Sequence, residues 1–217
     1  MQEEILNKTY EFAKEYHSRD NSGHDFEHIK RVYANINKLL DKEPAANGFI
    51  CKMCALLHDV DDHKMNTDGK VTERFLQFLD IDENIISTII ETINAIGFSK
   101  SGANPNFKTL EMKLLSDADK LDAMGAIGIC RALSFSVSRH QNLFNERELP
   151  CEENNKKHMI NHFFEKLLLL KGAMQTDVGK QEADKRHQFM ITFLRQFFEE
   201  QNLDIWQDYL DNYINCR

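Results

Sequence analysis

Apolar residues recur with helical spacing along most of this chain, and this periodicity restricts its fold more than any other feature. Only three prolines interrupt the sequence, and no segment alternates between apolar and polar residues for long enough to require a strand. Stretches rich in Gly, Asn, Asp and Pro predict loops at "DDHKMNTDGK", "GFSKSGANPNF" and "NERELPCEENN". The pattern therefore predicts an all-α fold. The expected helices cover about residues 2–18, 25–42, 46–61, 71–80, 82–96, 108–121, 122–139, 155–172, 179–200 and 202–214.

The length and charge of the chain limit what it can bind. A chain of 217 residues has room for one sizeable domain, and we expect a single domain over 1–217. The formal net charge is -8 without a long basic run, which disfavours binding to a nucleic-acid polymer or to an anionic membrane. No apolar stretch approaches the roughly 20 residues of a membrane span. The N-terminal "MQEEILNKTYEF" is acidic, so we expect a soluble, cytoplasmic protein.

The five cysteines are odd in number and irregularly spaced, unlike a disulfide framework. The "CKMC" segment lies in an apolar helical run without a second such pair, which is not how structural zinc is bound. We interpret the cysteines as free thiols in a reducing compartment. The late aromatic residues in "INHFFEKLLLL" and "HQFMITFLRQFFEEQNLDIW" have the spacing of core-facing helices.

In "CALLHDVDDHK", Cys54–Lys64, an apolar helix runs directly into a histidine and three aspartates. Buried carboxylates are costly unless they are paired or bind a metal ion. With about 100° between successive helical residues, His58 and Asp59 can converge on one ion beside the helix, and Asp62 lies angularly between them. Asp61 points away and is expected to be solvated or to cap a helix. The segment predicts a metal site with a nearby acid.

Two other segments supply the remaining candidate ligands. "HDFEHIKRV" places His24 and His28 on one helical face, with Arg31 beside them. "LLSDADKLDAMGAIG" places Asp117, Asp119 and Asp122 next to an apolar run. His28, His58, Asp59 and one of these later aspartates would form a shell of two nitrogens and two oxygens. Such a shell suits a divalent ion and leaves positions for water and substrate.

With "ALLHDV" and "DADKLDAMGAIG" both present and in this order, the chain resembles the HD-domain superfamily of metal-dependent phosphohydrolases, whose signature is H…HD…D. The resemblance is closest to small bacterial HD hydrolases, which include nucleotide pyrophosphohydrolases, and it extends over about residues 20–200. It implies a single-domain helical bundle of the HD type. The metal core would occupy about residues 20–140, and C-terminal helices at about 155–214 would pack on it.

The resemblance also implies a ligand set: His28 first, His58 and Asp59 as the doublet, and Asp119 last. Asp119 is preferred over Asp117 and Asp122 because the final ligand in the family directly precedes a Lys or Arg, here Lys120. The cofactor would be one divalent metal ion: Mn, Mg, Ni, Fe, Co or Zn. Some family subgroups carry a further histidine where this chain has "TINAIGFSK". Its absence disfavours a binuclear site and phosphodiesterase chemistry.

Several charged residues are candidates for catalysis or phosphate binding. Asp62 is the candidate base or water-orienting group, and the alternative is a carboxylate that only hydrogen-bonds behind a ligand. Lys120, also a candidate catalytic residue, and Arg31 are the expected phosphate contacts near the metal, since Arg offers a fork and Lys a point charge. Lys166 and Arg186 could reach the same pocket, and a solvated helix face is the alternative for all four. His24 would bind phosphate or hydrogen-bond beside His28.

The resemblance leaves the substrate within a class of phosphorylated small molecules, and we expect a nucleotide. The preferred reaction is pyrophosphate release from (deoxy)nucleoside triphosphates. The alternatives are a 5′-nucleotidase or other phosphomonoesterase and a metal-dependent nucleotide sensor without turnover, which the same ligands would permit. Apolar helix faces allow either a monomer or a homodimer.

Overall fold

The computed structural model describes residues 1–19, 25–61, 69–96, 107–151 and 157–216. Helices account for most of these residues, and the only β-type pairing among them is an isolated bridge between Asn142 and His158. The prediction of an all-α fold is therefore confirmed. The described chain forms two compact units, Met1–Asp122 with Met174–Gly179 and Ala123–Ala173 with Lys180–Arg217. A single domain over 1–217 stays a prediction.

Among its described residues, the first unit contains six complete α-helices, whose apolar faces form its core. They are α1 (Gln2–Tyr16), α2 (Phe26–Leu40), α3 (Gly48–Leu57), α4 (Val71–Phe78), α5 (Glu83–Ile96) and α6 (Leu110–Asp122). Helix α3 is apolar almost all round, which is typical of a helix buried on every side. It packs against α1, α2, α5 and α6. The central position of α3 carries its C-terminal end, where the His-Asp doublet follows, into the interior of this unit.

The chain leaves helical geometry after α3 sooner than the sequence predicts. The prediction of a helix over 46–61 is wrong at its C-terminal end, because α3 ends at Leu57 and residues 58–61 form a turn. The carboxylate of Asp61 accepts hydrogen bonds from Val71 N at 2.8 Å and Thr72 N at 3.1 Å. Asp61 therefore caps the start of α4, which is one of the two roles expected for it.

The second unit contains α7 (Gly125–Ser138), α8 (Met159–Glu165), a 3-10 segment (Leu167–Ala173), the part of α9 (Asp177–Glu200) from Lys180 onward, and α10 (Asp204–Asn215). The predicted helix over 155–172 is shorter than expected, because Lys166 leaves helical geometry with φ -144° and the chain continues as 3-10 helix. Phe163, Phe198 and Trp206 are fully buried, as predicted for core-facing aromatic residues, whereas Phe189 is 52% exposed and departs from that prediction. The indole of Trp206 donates to the carbonyl of Glu146 at 2.9 Å.

All five cysteines are free thiols, as predicted. Cys51 and Cys54 are buried in α3, and burial raises the pKa of Cys51 to about 12. A thiol with so high a pKa forms little of the reactive thiolate. The "CKMC" segment is therefore part of the core. Among the described residues, no single helix is long and apolar enough to cross a membrane, and the consecutive helices α6 and α7 would meet that requirement only when taken together.

Candidate metal centre

Two buried histidines face each other between α2 and the turn after α3. The ring of His28 points its Nδ1 at Asp122 Oδ2, 2.7 Å away, and the ring of His58 points its Nδ1 at the carbonyl of Ala55, 3.0 Å away. A carbonyl oxygen only accepts, so His58 Nδ1 is the donor and the lone pair lies on Nε2. The two Nε2 atoms are 3.3 Å apart. Each histidine is thus held from behind with Nε2 directed into the space between them.

Two carboxylates close this space. Asp59 Oδ2 lies 3.3 Å from His28 Nε2 and 3.5 Å from His58 Nε2. Asp119 Oδ1 lies 3.6 and 4.0 Å from the same two nitrogens. Ligands about 2.1 Å from a divalent ion are about 3.0–3.4 Å apart when adjacent and about 4.2 Å apart when opposite in an octahedron. The distances from each carboxylate to the two imidazole nitrogens are therefore those of neighbouring ligands in a coordination shell.

The donor types also fit a divalent metal ion. The possible ligand atoms of His28, His58 and Asp119 all lie within 4.8 Å of one another, close enough to bind one metal ion. Two imidazole nitrogens with carboxylate oxygens suit several divalent ions. The ligands therefore indicate a divalent metal ion but do not identify the element. The Asp119 side chain is 41% exposed, whereas that of Asp59 is 12% exposed. The cluster is thus more accessible on its Asp119 side.

The surrounding carboxylates strongly favour a positive charge at this position. Burial by itself would lower the pKa of His28, but its hydrogen bonds with Asp122 and Asp59 and the charge of Asp119 outweigh burial and raise that pKa to about 9. Three acids thus act on one imidazole. The same negative field would stabilise a bound cation.

Two hydrogen bonds from residues remote in sequence hold the backbone next to the proposed ligands, one beside the His58-Asp59 doublet and one beside Asp119. Tyr16 Oη on α1 donates to the carbonyl of Val60 at 2.9 Å. Asn35 Nδ2 on α2 donates to the carbonyl of Ala118 at 3.0 Å, one residue before Asp119. These two residues were not predicted from the sequence, and an isolated Tyr or Asn carries no signal that would have identified them.

The three aspartates of α6 have different surroundings. Asp117 is fully buried and accepts hydrogen bonds from Gln175 N at 2.7 Å, Thr176 N at 2.8 Å and Thr176 Oγ1 at 2.7 Å. Asp122 contacts the Nδ1 side of His28, away from the cluster. Of the three, it is the Asp119 carboxylate that lies within 4.0 Å of both Nε2 atoms. This placement supports the choice of Asp119 over the two alternatives.

The predicted phosphate contacts in the first unit are partly engaged by neighbouring groups. Arg31 Nε and Nη2 donate to the two oxygens of Asp122 at 2.5 and 3.2 Å. Lys120 Nζ donates to Ser116 Oγ and, at 3.3 Å, to the Ser116 carbonyl, and it lies 5.7 Å from the ring centre of Phe107. Burial lowers the pKa of Lys120, while Asp117 and Asp119 oppose that shift. Both assignments stay predictions.

The other predicted site residues lie in the second unit or outside the described residues. Lys166 follows α8, and Arg186 lies on α9 with its Nε 3.6 Å from Glu182 Oε1; both belong to the second unit. His24 and Asp62 lie outside the described residues. The phosphate roles of Lys166, Arg186 and His24 and the catalytic role of Asp62 stay predictions.

Two surface grooves contain none of these residues. One of about 430 Å³ lies between α1 and α4 and is lined partly by Phe75, Phe78 and Leu79. The other, of about 400 Å³, lies between α4 and α5 and contains three glutamates but no histidine. Neither brings together histidines and acids as the buried cluster does, so the chemistry points to the cluster as the candidate site.

Known proteins resemble this chain over most of its length. No family model matches the chain. YpgQ of Bacillus subtilis, a protein described as uncharacterised, is 33% identical over 182 residues, covering 82% of this chain and 84% of that protein. The crystal structure of YpgQ in complex with ADP superposes with a TM-score of 0.73 at 29% identity, covering 90% of this chain and 97% of that one.

A second solved structure carries a family name. An HD-superfamily hydrolase from Bacillus thuringiensis superposes with a TM-score of 0.78 at 34% identity, covering 93% of this chain and 99% of that one. In this chain His28, His58, Asp59 and Asp119 follow one another in the H…HD…D order of the superfamily. This chain therefore belongs to the HD superfamily of hydrolases, whose helical fold supports metal-dependent phosphohydrolase activity in general.

Proposed function

We propose that this protein is a metal-dependent nucleotide phosphohydrolase that releases pyrophosphate from (deoxy)nucleoside triphosphates. The observation that carries the proposal is the convergence of two carboxylates on two imidazole nitrogens. His28 Nε2 and His58 Nε2 are 3.3 Å apart, and Asp59 Oδ2 and Asp119 Oδ1 each lie 3.3–4.0 Å from both nitrogens. The ADP complex of YpgQ supports a nucleotide as the substrate class, because the two proteins share their fold and a third of their sequence over most of their length.

The four residues would hold one divalent ion, which when bound supplies a Lewis acid for a phosphoryl oxygen and lowers the pKa of water. His28 and His58 would each bind the ion through Nε2, because the Nδ1 atom of each already donates to an oxygen. Asp59 and Asp119 contribute the negative charge that retains the cation. Asp119, the more exposed acid, lies on the side from which substrate would approach.

In the proposed reaction, a water oxygen forms a bond to the α-phosphorus while the bond from that phosphorus to the α,β-bridging oxygen breaks. The water proton passes to Asp62, and the electron pair of the broken bond leaves with pyrophosphate. Lys120 would balance charge on the phosphate oxygens, and His24, Lys166 and Arg186 are further proposed phosphate contacts. The nucleoside monophosphate is the other product.

The test is an analysis of reaction products with protein from which metal ions have been removed. Mg, Mn, Fe, Co, Ni or Zn is added back separately, and the release of pyrophosphate and of orthophosphate is measured for a set of nucleotides. We expect pyrophosphate with a monophosphate from triphosphates, and loss of that activity in Asp59→Ala. Orthophosphate with a nucleoside would replace the proposal by a 5′-nucleotidase, and tight nucleotide binding without products by a sensor. Turnover that survives both metal removal and Asp59→Ala would contradict the site itself.

A further inference from the structure

Behind His28, on the side away from the cluster, lies an ion pair between the buried Asp122 and the half-buried Arg31. Asp122 is 1% exposed, and its Oδ2 is 2.7 Å from His28 Nδ1. The guanidinium of Arg31 reaches the same carboxylate through two atoms, Nε at 2.5 Å and Nη2 at 3.2 Å. One carboxylate thus receives hydrogen bonds from an imidazole and from a two-pronged guanidinium.

The pair follows from the register of two packed helices. On α2, His28 and Arg31 are three residues apart, and on α6, Asp119 and Asp122 are three residues apart, so each pair shares a helix face. Helices α2 and α6 pack against each other. Each helix therefore presents one candidate ligand and, about one turn further on, one residue of the ion pair.

We propose that Asp122 and Arg31 are positioning residues for the metal centre: Asp122 fixes the orientation of His28, and Arg31 acts only through Asp122. The proposal rests on the metal site of the proposed function. A carboxylate that accepts a hydrogen bond from Nδ1 fixes the tautomer and orientation of a metal-binding histidine. It also makes Nε2 more basic and so a stronger metal ligand. The fork of Arg31 occupies both oxygens of Asp122, so the carboxylate cannot rotate without losing a hydrogen bond.

The charges support the same assignment. Asp59, Asp119 and Asp122 contribute three negative charges around two histidines that would bind as neutral ligands. A divalent ion and the guanidinium of Arg31 contribute three positive charges, so the group as a whole is neutral. Buried charge persists where it is compensated in this way. Arg31 thus has a role as the partner of Asp122 that differs from its predicted role as a phosphate contact.

The test uses Co²⁺ as the probe, in the full chain and without substrate. Its visible spectrum reports ligand geometry, and titration gives its affinity. We expect Asp122→Ala to weaken Co²⁺ binding by about 10–100-fold and to change the spectrum. Asp122→Asn, which keeps an acceptor of similar shape, should have a smaller effect and protects the test if the alanine variant does not fold. Lys30→Met is the matched control, because Lys30 is exposed on α2 and pairs only with Glu27 among the described contacts.

The decisive comparison is a double-mutant cycle. If Arg31 acts only through Asp122, Arg31→Met changes Co²⁺ affinity and spectrum in the unsubstituted chain but adds nothing in the Asp122→Ala background. An Arg31→Met protein with an unchanged spectrum and a raised KM for nucleotide would overturn the proposal in favour of phosphate contact. An unchanged spectrum in Asp122→Ala would overturn it directly. If these spectral effects are observed but the protein hydrolyses no nucleotide, the proposed reaction is refuted and the positioning role of Asp122 and Arg31 stands. If the unsubstituted chain does not bind Co²⁺, both the proposed reaction and the positioning role are refuted.

Discussion

Asp117 and Thr176 are joined by two hydrogen bonds, in which Thr176 N and Thr176 Oγ1 donate to Asp117 Oδ2 at 2.8 and 2.7 Å. The same hydroxyl accepts from Gly179 N at 3.0 Å, in the first turn of α9. One threonine thus caps a helix and satisfies a fully buried carboxylate two residues before Asp119. The contact ties the start of α9 to the helix that carries the last proposed ligand.

Replacing Thr176 by Val should lower the free energy of unfolding by about 1–3 kcal/mol, because it removes a helix cap and a donor to a buried acid at nearly constant volume. Urea unfolding monitored by circular dichroism measures the change. Thr192→Val is the matched control, since Thr192 is exposed on α9 and donates only to the Gln188 carbonyl among the described contacts. Equal effects of the two substitutions would show that the Asp117–Thr176 contact carries no special weight.

Gly179→Ala should also destabilise the protein, by about 1–3 kcal/mol, although Ala is the better helix former. A Cβ at Gly179 would overlap the Asp117 carboxylate, reaching within 2.8 Å of its Cγ and 2.9 Å of Thr176 Oγ1. At Gly172 an added Cβ meets no atom within 4 Å, so Gly172→Ala serves as the control and should be neutral or slightly stabilising. Thermal unfolding of both variants provides the comparison, and a neutral Gly179→Ala would contradict the tight packing at this position.

Much of the fold and of the candidate site was predictable because both depend on local patterns. Helical spacing identified each described helix to within a few residues, except where α3 and the predicted helix over 155–172 end early. The HD doublet stood out because acids follow an apolar helix. The end of α3 was not predictable from local spacing, because the contacts of the turn that follows it are remote in sequence: Asp61 with Val71 and Thr72, and Val60 with Tyr16.

For the three α6 aspartates too, the sequence predicts the direction of each side chain but not its contacts. At about 100° per residue, Asp117 lies about 160° from Asp119 around the helix, whereas Asp122 lies about 60° from it. The sequence therefore contained a signal that Asp117 points elsewhere and that Asp122 shares the ligand face. It could not show what each acid contacts, because the partners of Asp117 are more than fifty residues further along the chain and those of Asp122 lie on α2.

Removing the cap of α4 should affect that helix more than the rest of the chain. Asp61→Ala deletes the acceptor for Val71 N and Thr72 N, and loss of such a cap costs about 0.5–2 kcal/mol. Hydrogen exchange followed by mass spectrometry should show faster exchange in the peptide that covers Val71–Phe78. Asp82→Ala, which removes an acceptor for Asn84 N near the start of α5, should leave that peptide unchanged. Unaltered exchange there in Asp61→Ala would contradict the capping role.

Metal binding should release a proton from His28. In the metal-free protein the pKa of His28 is raised from 6.5 to about 9, so its ring is charged at pH 7, whereas a ligand needs a free Nε2 lone pair. Affinity should therefore increase as pH rises toward about 9. In the metal-free chain the same upward shift adds stability that is fully present below pH 6.5 and is lost as pH rises through about 9. Calorimetric titration at pH 7 in two buffers of different ionisation enthalpy measures the released proton, and a heat independent of buffer would contradict the assignment.

We propose that His28, His58, Asp59 and Asp119 together hold one divalent ion. Electron paramagnetic resonance of free Mn²⁺, titrated against the metal-free protein, counts the bound ions per chain. We expect one tightly bound ion in the unsubstituted chain and loss of that binding in His58→Ala and in Asp59→Ala, with both variants folded by circular dichroism. One ion bound with unchanged affinity in the His58→Ala, Asp59→Ala double variant would contradict it.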